Sequence, residues 1–215
     1  MTKLIIFDLD GTLLNTIGDL ANAANFALNS YNFPPHSEDA YRFMVGNGIN
    51  KLLERSLPET HRDADTISMV RNEFLKYYFE HADEQTRPYV GIPELIDRLH
   101  ADGYLLGVAS NKIQEGTTQH VSHFFPHIPF TAVLGQRDNH PVKPHPSILE
   151  EIIAKAGVTK AETLYVGDSG VDVSTALNAD VPFVGVLWGF RPEEELSAAG
   201  ATRFVDHPLD ILKLL

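Results

Sequence analysis

The sequence predicts an α/β protein: an open parallel sheet with helices on both faces, plus an inserted small α-helical cap domain. Four short apolar runs carry the sheet: KLIIFD (3–8), YLLGVA (104–109), ETLYVG (162–167) and FVGVLW (183–188). Near-continuous rather than alternating apolar character marks strands buried on both faces, as parallel strands are. Amphipathic segments lie between these runs, at 93–103, 147–157 and 171–180, and the first two close on a glycine suited to a helix C-cap. The stretch 15–84 breaks this rhythm, because DLANAANFALNSY, INKLLERSL and ISMVRNEFLKYYFEHA have helical periodicity and no strand accompanies them. Strand and helix alternate outside that stretch, so the reading is a Rossmann-like core of residues 1–14 and 85–215 with a helical cap at 15–84, the segment 88–93 leading the chain back into the core. The ending PLDILKLL reads as a packing helix.

With 215 residues, 43% of them hydrophobic, the chain can bury one full core and support a modest insertion. It has no apolar run of about 18 residues, and the opening MTKLIIFDLD meets acids after a short apolar run, so neither a membrane span nor a signal peptide is expected and the protein is read as cytoplasmic. Cysteine is absent, which removes disulfides, thiolate metal sites and a cysteine nucleophile, and leaves oxygen ligands for any metal. A net charge of −12, from 29 acids and 17 bases, opposes nucleic-acid binding. An anionic substrate then needs a cation and local donors to overcome that field at one spot.

Ligands of open parallel sheets bind beyond the carboxyl ends of the strands. There the sequence turns polar: Asp8, Asp10, Gly11 and Thr12 follow the first run, Ser110, Asn111 and Lys112 the second, and Asp168, Ser169 and Asp172 the third, while Lys143 lies in the loop VKPHP. Asp8 and Asp10 are two apart, so an extended chain would turn both carboxylates to one side. Crowded carboxylates repel, and a divalent cation relieves the repulsion. A partly hydrated oxygen site suits Mg2+, with Asp8 and Asp168 as natural ligands. Lys143 adds a second cation, and Ser110 with nearby backbone N–H groups can donate to phosphate oxygens.

In that order, DLDGTL, Ser-Asn after a strand, a KP loop and GDSGVD resemble the four motifs of the haloacid dehalogenase superfamily, over essentially the whole chain. The helical insertion after the first motif, with VGNGINKLLERSL and GFRPEEEL, is similar to the phosphoglycolate phosphatase-like branch. The resemblance implies that Asp8 attacks phosphorus, that Asp10 protonates the leaving oxygen and then activates water, and that Ser110 and Lys143 hold the phosphoryl oxygens. It implies magnesium on Asp8, the Asp10 carbonyl and Asp168, with Asp172 supporting, and adds Gly11, Thr12 and Asn111 to the phosphate-binding candidates. Dehalogenases of the superfamily attack carbon and lack an acid where Asp10 stands, so Asp10 points to phosphoryl transfer. Two departures from the family pattern are Asn15, where relatives often carry Asp, and His145, where KPDP is more familiar.

The implied function is a magnesium-dependent phosphatase of a small phosphorylated metabolite, 2-phosphoglycolate favoured, acting through an aspartyl phosphate as monomer or homodimer. Alternatives are a phosphosugar mutase, which returns the same phosphoryl group to a sugar, a phosphonate hydrolase, which needs a Schiff-base lysine from the cap such as Lys51 or Lys76, and a noncatalytic regulatory module. Singly, each feature has a plainer reading: Asp-x-Asp as strand punctuation, Lys143 as a loop lysine, Ser110 and Asn111 as a turn or cap, Asp172 as a first-turn acid. Four ordered motifs on one predicted edge outweigh those readings. Asn47 and Gly48, between Gly46 and the next helical segment, are candidates for a cap loop facing the substrate. His120, His123 and His127 are a chance grouping among ten histidines, and Trp188 and Phe190 pack a strand end.

Overall fold

The computed structural model describes residues Met1–Leu215, which divide into two compact units, Met1–Asn15 with Pro88–Leu215 and the intervening Thr16–Arg87.

The first unit is built on six parallel strands: β1 (Leu4–Phe7), β4 (Leu105–Ile113), β5 (Ala132–Gln136), β6 (Thr163–Gly167), β7 (Phe183–Val186) and β8 (Phe204–Val205), in the spatial order β5-β4-β1-β6-β7-β8. Two-residue strands β2 (Leu14–Asn15) and β3 (Arg87–Pro88) stand where the chain leaves this unit and returns. Side chains alternate faces along a strand. Ile5 and Phe7 therefore enter a core with Ile92, Leu95, Ile96 and Leu99 of α5 (Ile92–Ala101) and Val121 of α6 (Gln114–Phe124). Leu4 and Ile6 enter the opposite core with Ile148, Leu149 and Ile152 of α7 (Ser147–Ala156) and Ala176 and Ala179 of α8 (Gly170–Ala179). Burial on both faces is the reason these strands read as unbroken apolar runs. The strand order reverses at β1, which puts its carboxyl end at the crevice where open α/β sheets bind ligands.

The structure adds elements that periodicity did not mark. Strand β5 is a five-residue edge strand, β8 has two residues, and α9 (Glu193–Ala198) has six. Helix α6 hides because the face it buries is Gly116, Thr117, His120 and Val121, mostly small or polar. The expected C-terminal packing helix is present as a 3-10 helix, Pro208–Leu214. Its buried Pro208 and Ile211 are three residues apart, the period of a 3-10 helix. One correction is that Ser110, Asn111 and Lys112 lie within β4, not beyond it, because the pairing slips from Ala109–Leu134 to Ile113–Gln136 and so loops out the extra residues.

The second unit is helical: α1 (Ile17–Ser30), α2 (Glu38–Tyr41), α3 (Ile49–Ser56) and α4 (Ala64–His81), the last capped by Asp63 accepting from the Thr66 N–H at 2.9 Å. Gln85–Arg87 belong to it, three residues beyond the expected boundary, and Asn15 to the first unit. Asp19 explains the added residues. Its buried carboxylate accepts from the N–H groups of Gln85 (3.0 Å) and Thr86 (2.8 Å) and from the Thr86 hydroxyl (2.7 Å), tying them to α1. Asp19→Ala leaves these donors without a partner, so it should lower stability by about 3 kcal/mol, read from chemical denaturation.

Candidate active site

The end of β1 bends rather than runs on. Asp8 continues the ladder through its N–H to the Val166 carbonyl (2.9 Å), after which the Leu9 carbonyl accepts from the N–H groups of Thr12, Leu13 and Leu14 (3.3, 3.0 and 3.0 Å). The extended geometry expected to align Asp8 with Asp10 is therefore absent. Gly11 has a φ of +90°, and a Cβ at this position would overlap the Asp168 carboxylate. That closeness lets Thr12 Oγ1 donate to Asp168 Oδ1 (3.2 Å), while the Phe190 N–H donates to Oδ2 (2.7 Å) and Trp188 Nε1 donates to the Thr12 carbonyl (3.0 Å). Trp188 and Phe190 thus fasten the site together besides packing.

Lys143, in the loop between β5 and α7 and joined to Pro144 by a cis peptide bond, drives its ammonium into the protein, where the side chain is 2% exposed. Its Nζ lies 2.9 Å from Asp8 Oδ1 and donates to Asp172 Oδ1 (2.8 Å), the Ala109 carbonyl (3.0 Å) and Tyr165 Oη (3.1 Å). Asn111 clamps the lysine backbone, its Oδ1 accepting from the Lys143 N–H (2.8 Å) and its Nδ2 donating to the Lys143 carbonyl (3.0 Å). Both ends of the Asn111 amide thereby brace the backbone of Lys143.

Asp172 is held from all sides. Its Oδ2 accepts from the Ser169 N–H (3.1 Å) and hydroxyl (2.6 Å) in the capping box that starts α8, and its Oδ1 accepts from the Tyr165 hydroxyl (2.6 Å) as well as from Lys143. Burial raises its pKa, but the Lys143 ammonium and these hydrogen bonds outweigh burial and leave it below the usual range. Burial and the Asp172 charge push Asp8 well up, against the pull of Lys143, and push Asp168 up to about 7. Burial likewise disfavours the Lys143 ammonium, but Asp172 and Asp8 overcome it and hold its pKa above the ordinary lysine value.

Asp8, Asp168 and Asp172 each offer an oxygen within 4.8 Å of the others. Three buried carboxylates facing one ammonium, two of them driven toward protonation, are a donor set that a hard divalent cation would fit. Asp10 is not in this group: its Oδ1 meets Lys112 Nζ at 3.3 Å.

Residues 5–186 match the model of the haloacid dehalogenase-like hydrolases. The chain belongs to that family. Within the haloacid dehalogenase-like hydrolases it lies in the phosphoglycolate phosphatase-like branch. It is 34% identical to the phosphoglycolate phosphatase of Mesorhizobium japonicum over 87% of this chain and 83% of that one. It is 30% identical to that of Mannheimia succiniciproducens over 99% and 98%. The crystal structure of a predicted phosphoglycolate phosphatase from Haemophilus somnus superposes with a TM-score of 0.91 at 31% identity, covering 99% of this chain and 97% of that one. The six-stranded parallel sheet flanked by helices is thus the fold of a haloacid dehalogenase-like hydrolase. None of its helices is long and apolar enough to cross a membrane.

Of the residues singled out in this hydrolase, Asp8, Lys143, Asp168 and Asp172 come together, Gly11 and Thr12 abut Asp168, and Ser110 is buried in the β4 bulge, where its Oγ accepts from the Lys112 N–H (3.2 Å). Asn47 and Gly48 lie in the second unit, where Arg55 donates to Asn47 Oδ1 (2.8 Å) and to the Met44 carbonyl (2.8 Å), and Gly48 precedes α3. His120, His123 and His127 do not gather: His120 is buried in α6, and His127 pairs with Asp97 at the surface. Sequence reasoning passed over Tyr165, whose hydroxyl links Lys143 and Asp172. A tyrosine within an apolar buried run is itself a signal, since its hydroxyl needs a partner.

Folded Asp168 releases its proton near pH 7, an unfolded aspartate near 3.8. In chelator, folding therefore takes up a proton between those values, and Asp168 destabilises increasingly as pH rises through the window. Thermal melts in EDTA should find Asp168→Asn more stable than wild type at pH 8, with the difference shrinking toward pH 4.

Proposed function

We propose that this protein is a magnesium-dependent phosphatase that hydrolyses a small phosphate monoester through a phosphorylated Asp8. The observation that carries the reading is the Asp8 carboxylate at the end of β1, 2.9 Å from the buried Lys143 ammonium, with Asp10 two residues on and paired to a lysine of its own. The names of the relatives support 2-phosphoglycolate as the substrate.

In the first step an Asp8 carboxylate oxygen forms the bond to phosphorus while the ester P–O bond breaks, and the proton on Asp10 passes to the departing oxygen. In the second, Asp10 takes a proton from water, the water oxygen bonds to phosphorus, and the bond to Asp8 breaks, releasing phosphate. Lys143 and Ser110 oppose the charge on the phosphoryl oxygens, and the Asn111 brace fixes where Lys143 stands. Asp8, Asp168 and the Asp10 carbonyl would hold the magnesium, with Asp172 alongside. When bound, magnesium supplies the positive charge that lets Asp8 stay ionised and draws an anionic ester into a strongly acidic protein.

The phosphonate reading finds no support in the helical unit. Lys51 pairs with Glu54 (2.8 Å) and Lys76 with Glu73 (2.6 Å), and the Glu73 hydrogen bond raises the pKa of Lys76, the opposite of what an amine nucleophile requires.

The test is phosphate release from a panel of monoesters, including 2-phosphoglycolate and sugar phosphates, with and without magnesium. Magnesium-dependent release concentrated on one small acid is expected, and EDTA should abolish it. Asp8→Asn should fold yet release nothing; turnover at the wild-type rate would refute Asp8 as nucleophile. Asp10→Asn should lose roughly 10² to 10⁴ in kcat, the usual contribution of a positioned acid and base.

A further inference from the structure

The site holds two buried lysines, and the chemistry above uses one. Lys112 sits in the bulge of β4 with its side chain 5% exposed and its Nζ 3.3 Å from Oδ1 of Asp10, itself 12% exposed. The bulge fixes this lysine from both ends. Its N–H donates to Ser110 Oγ (3.2 Å), and its carbonyl accepts from Thr117 Oγ1 (3.2 Å). Its stem passes Gly116, where a Cβ would stand 3.3 Å from Lys112 Cε, and its carbonyl is so close to Gly135 that a Cβ there would lie 2.6 Å away. Asp10, by contrast, stands on the bend after β1, outside any strand, with its backbone in an isolated bridge to Leu14.

We propose that Lys112 is a positioning residue for Asp10, holding it through Oδ1 so that Oδ2 is the oxygen that gives the proton to the leaving group and takes it back from water. This rests on the phosphatase reading above. An ammonium has only hydrogens to offer, so the oxygen it faces cannot also carry the proton toward it. Contact with Lys112 at Oδ1 therefore selects Oδ2 for exchange and stops the carboxylate from turning. The labour of the two lysines is divided: Lys143 serves Asp8 and Asp172, and Lys112 serves Asp10.

The role has a signature that packing does not produce. An alkyl phosphate such as 2-phosphoglycolate needs its leaving oxygen protonated, whereas p-nitrophenolate departs without a proton. Lys112→Met should therefore lower kcat/KM on 2-phosphoglycolate by about 10²-fold while leaving p-nitrophenyl phosphate near wild type. Lys112→Arg, which keeps a donor, should recover part of the loss. The double variant Asp10→Asn with Lys112→Met should be no slower on 2-phosphoglycolate than Asp10→Asn alone, since a lysine that acts through Asp10 has nothing left to position. Circular dichroism checks that each variant folds. Equal losses on the two esters, or losses that multiply in the double variant, would overturn the role of Lys112 and leave the phosphatase reading standing. A wild-type protein that releases phosphate from neither ester would overturn both.

Discussion

The ammonium of Lys143 is the point on which the catalytic edge of the sheet converges. It contacts the carboxylate that follows β1, a carbonyl of β4, the tyrosine hydroxyl of β6 and the carboxylate in the first turn of α8. A charge taken so far out of water is costly unless opposite charges and hydrogen bonds surround it, and removing one partner from such an arrangement leaves the rest exposed to the low dielectric. Because the partners come from four elements, the position of the lysine and the mutual positions of the strand ends are one problem with one solution. The Asn111 amide and the Ser169–Asp172 capping box hold the two flanks of that solution.

The same arrangement creates an imbalance that chemistry can use. Lys143, Ser169 and Tyr165 together satisfy Asp172, yet Asp8 and Asp168 remain buried beside it with their pKa values raised. The role proposed for Asp8 needs an ionised carboxylate, and so more positive charge than the chain provides. The net charge of −12 makes the same demand at long range, since an anionic ester approaches against the field of the whole molecule. Local and global electrostatics thus both support the divalent cation proposed for this site.

Close approach is the second constraint. Gly11 allows the bend after β1 to lie against Asp168, and Gly135 allows β5 to pass the bulge of β4. The bulge inserts extra residues without breaking the sheet, which lets Ser110, Asn111 and Lys112 face three different duties from one short segment: a buried hydroxyl, a brace for Lys143 and a partner for Asp10.

By itself the sequence determined the class of fold and the types of group at the site. Strands β1, β4, β6 and β7 were legible because burial on both faces demands unbroken apolar runs, and the polar residues after them were legible because a strand end is where such runs stop. The edge strands β5 and β8 and helix α6 were not, since two short strands and a helix that buries Thr117 and His120 carry too little apolar periodicity. Nor could the sequence show which cation serves which carboxylate. Asp10 and Lys112 are 102 residues apart, and their pairing depends on parallel register between β1 and β4, on a slip in the β4–β5 pairing and on the bend at Leu9. Tyr165, Asp172 and Lys143 likewise meet only after α8 has packed back on the sheet. Local pattern is written by burial and hydrogen-bonding type, whereas partnership across strands is a property of register, and only the folded chain has one.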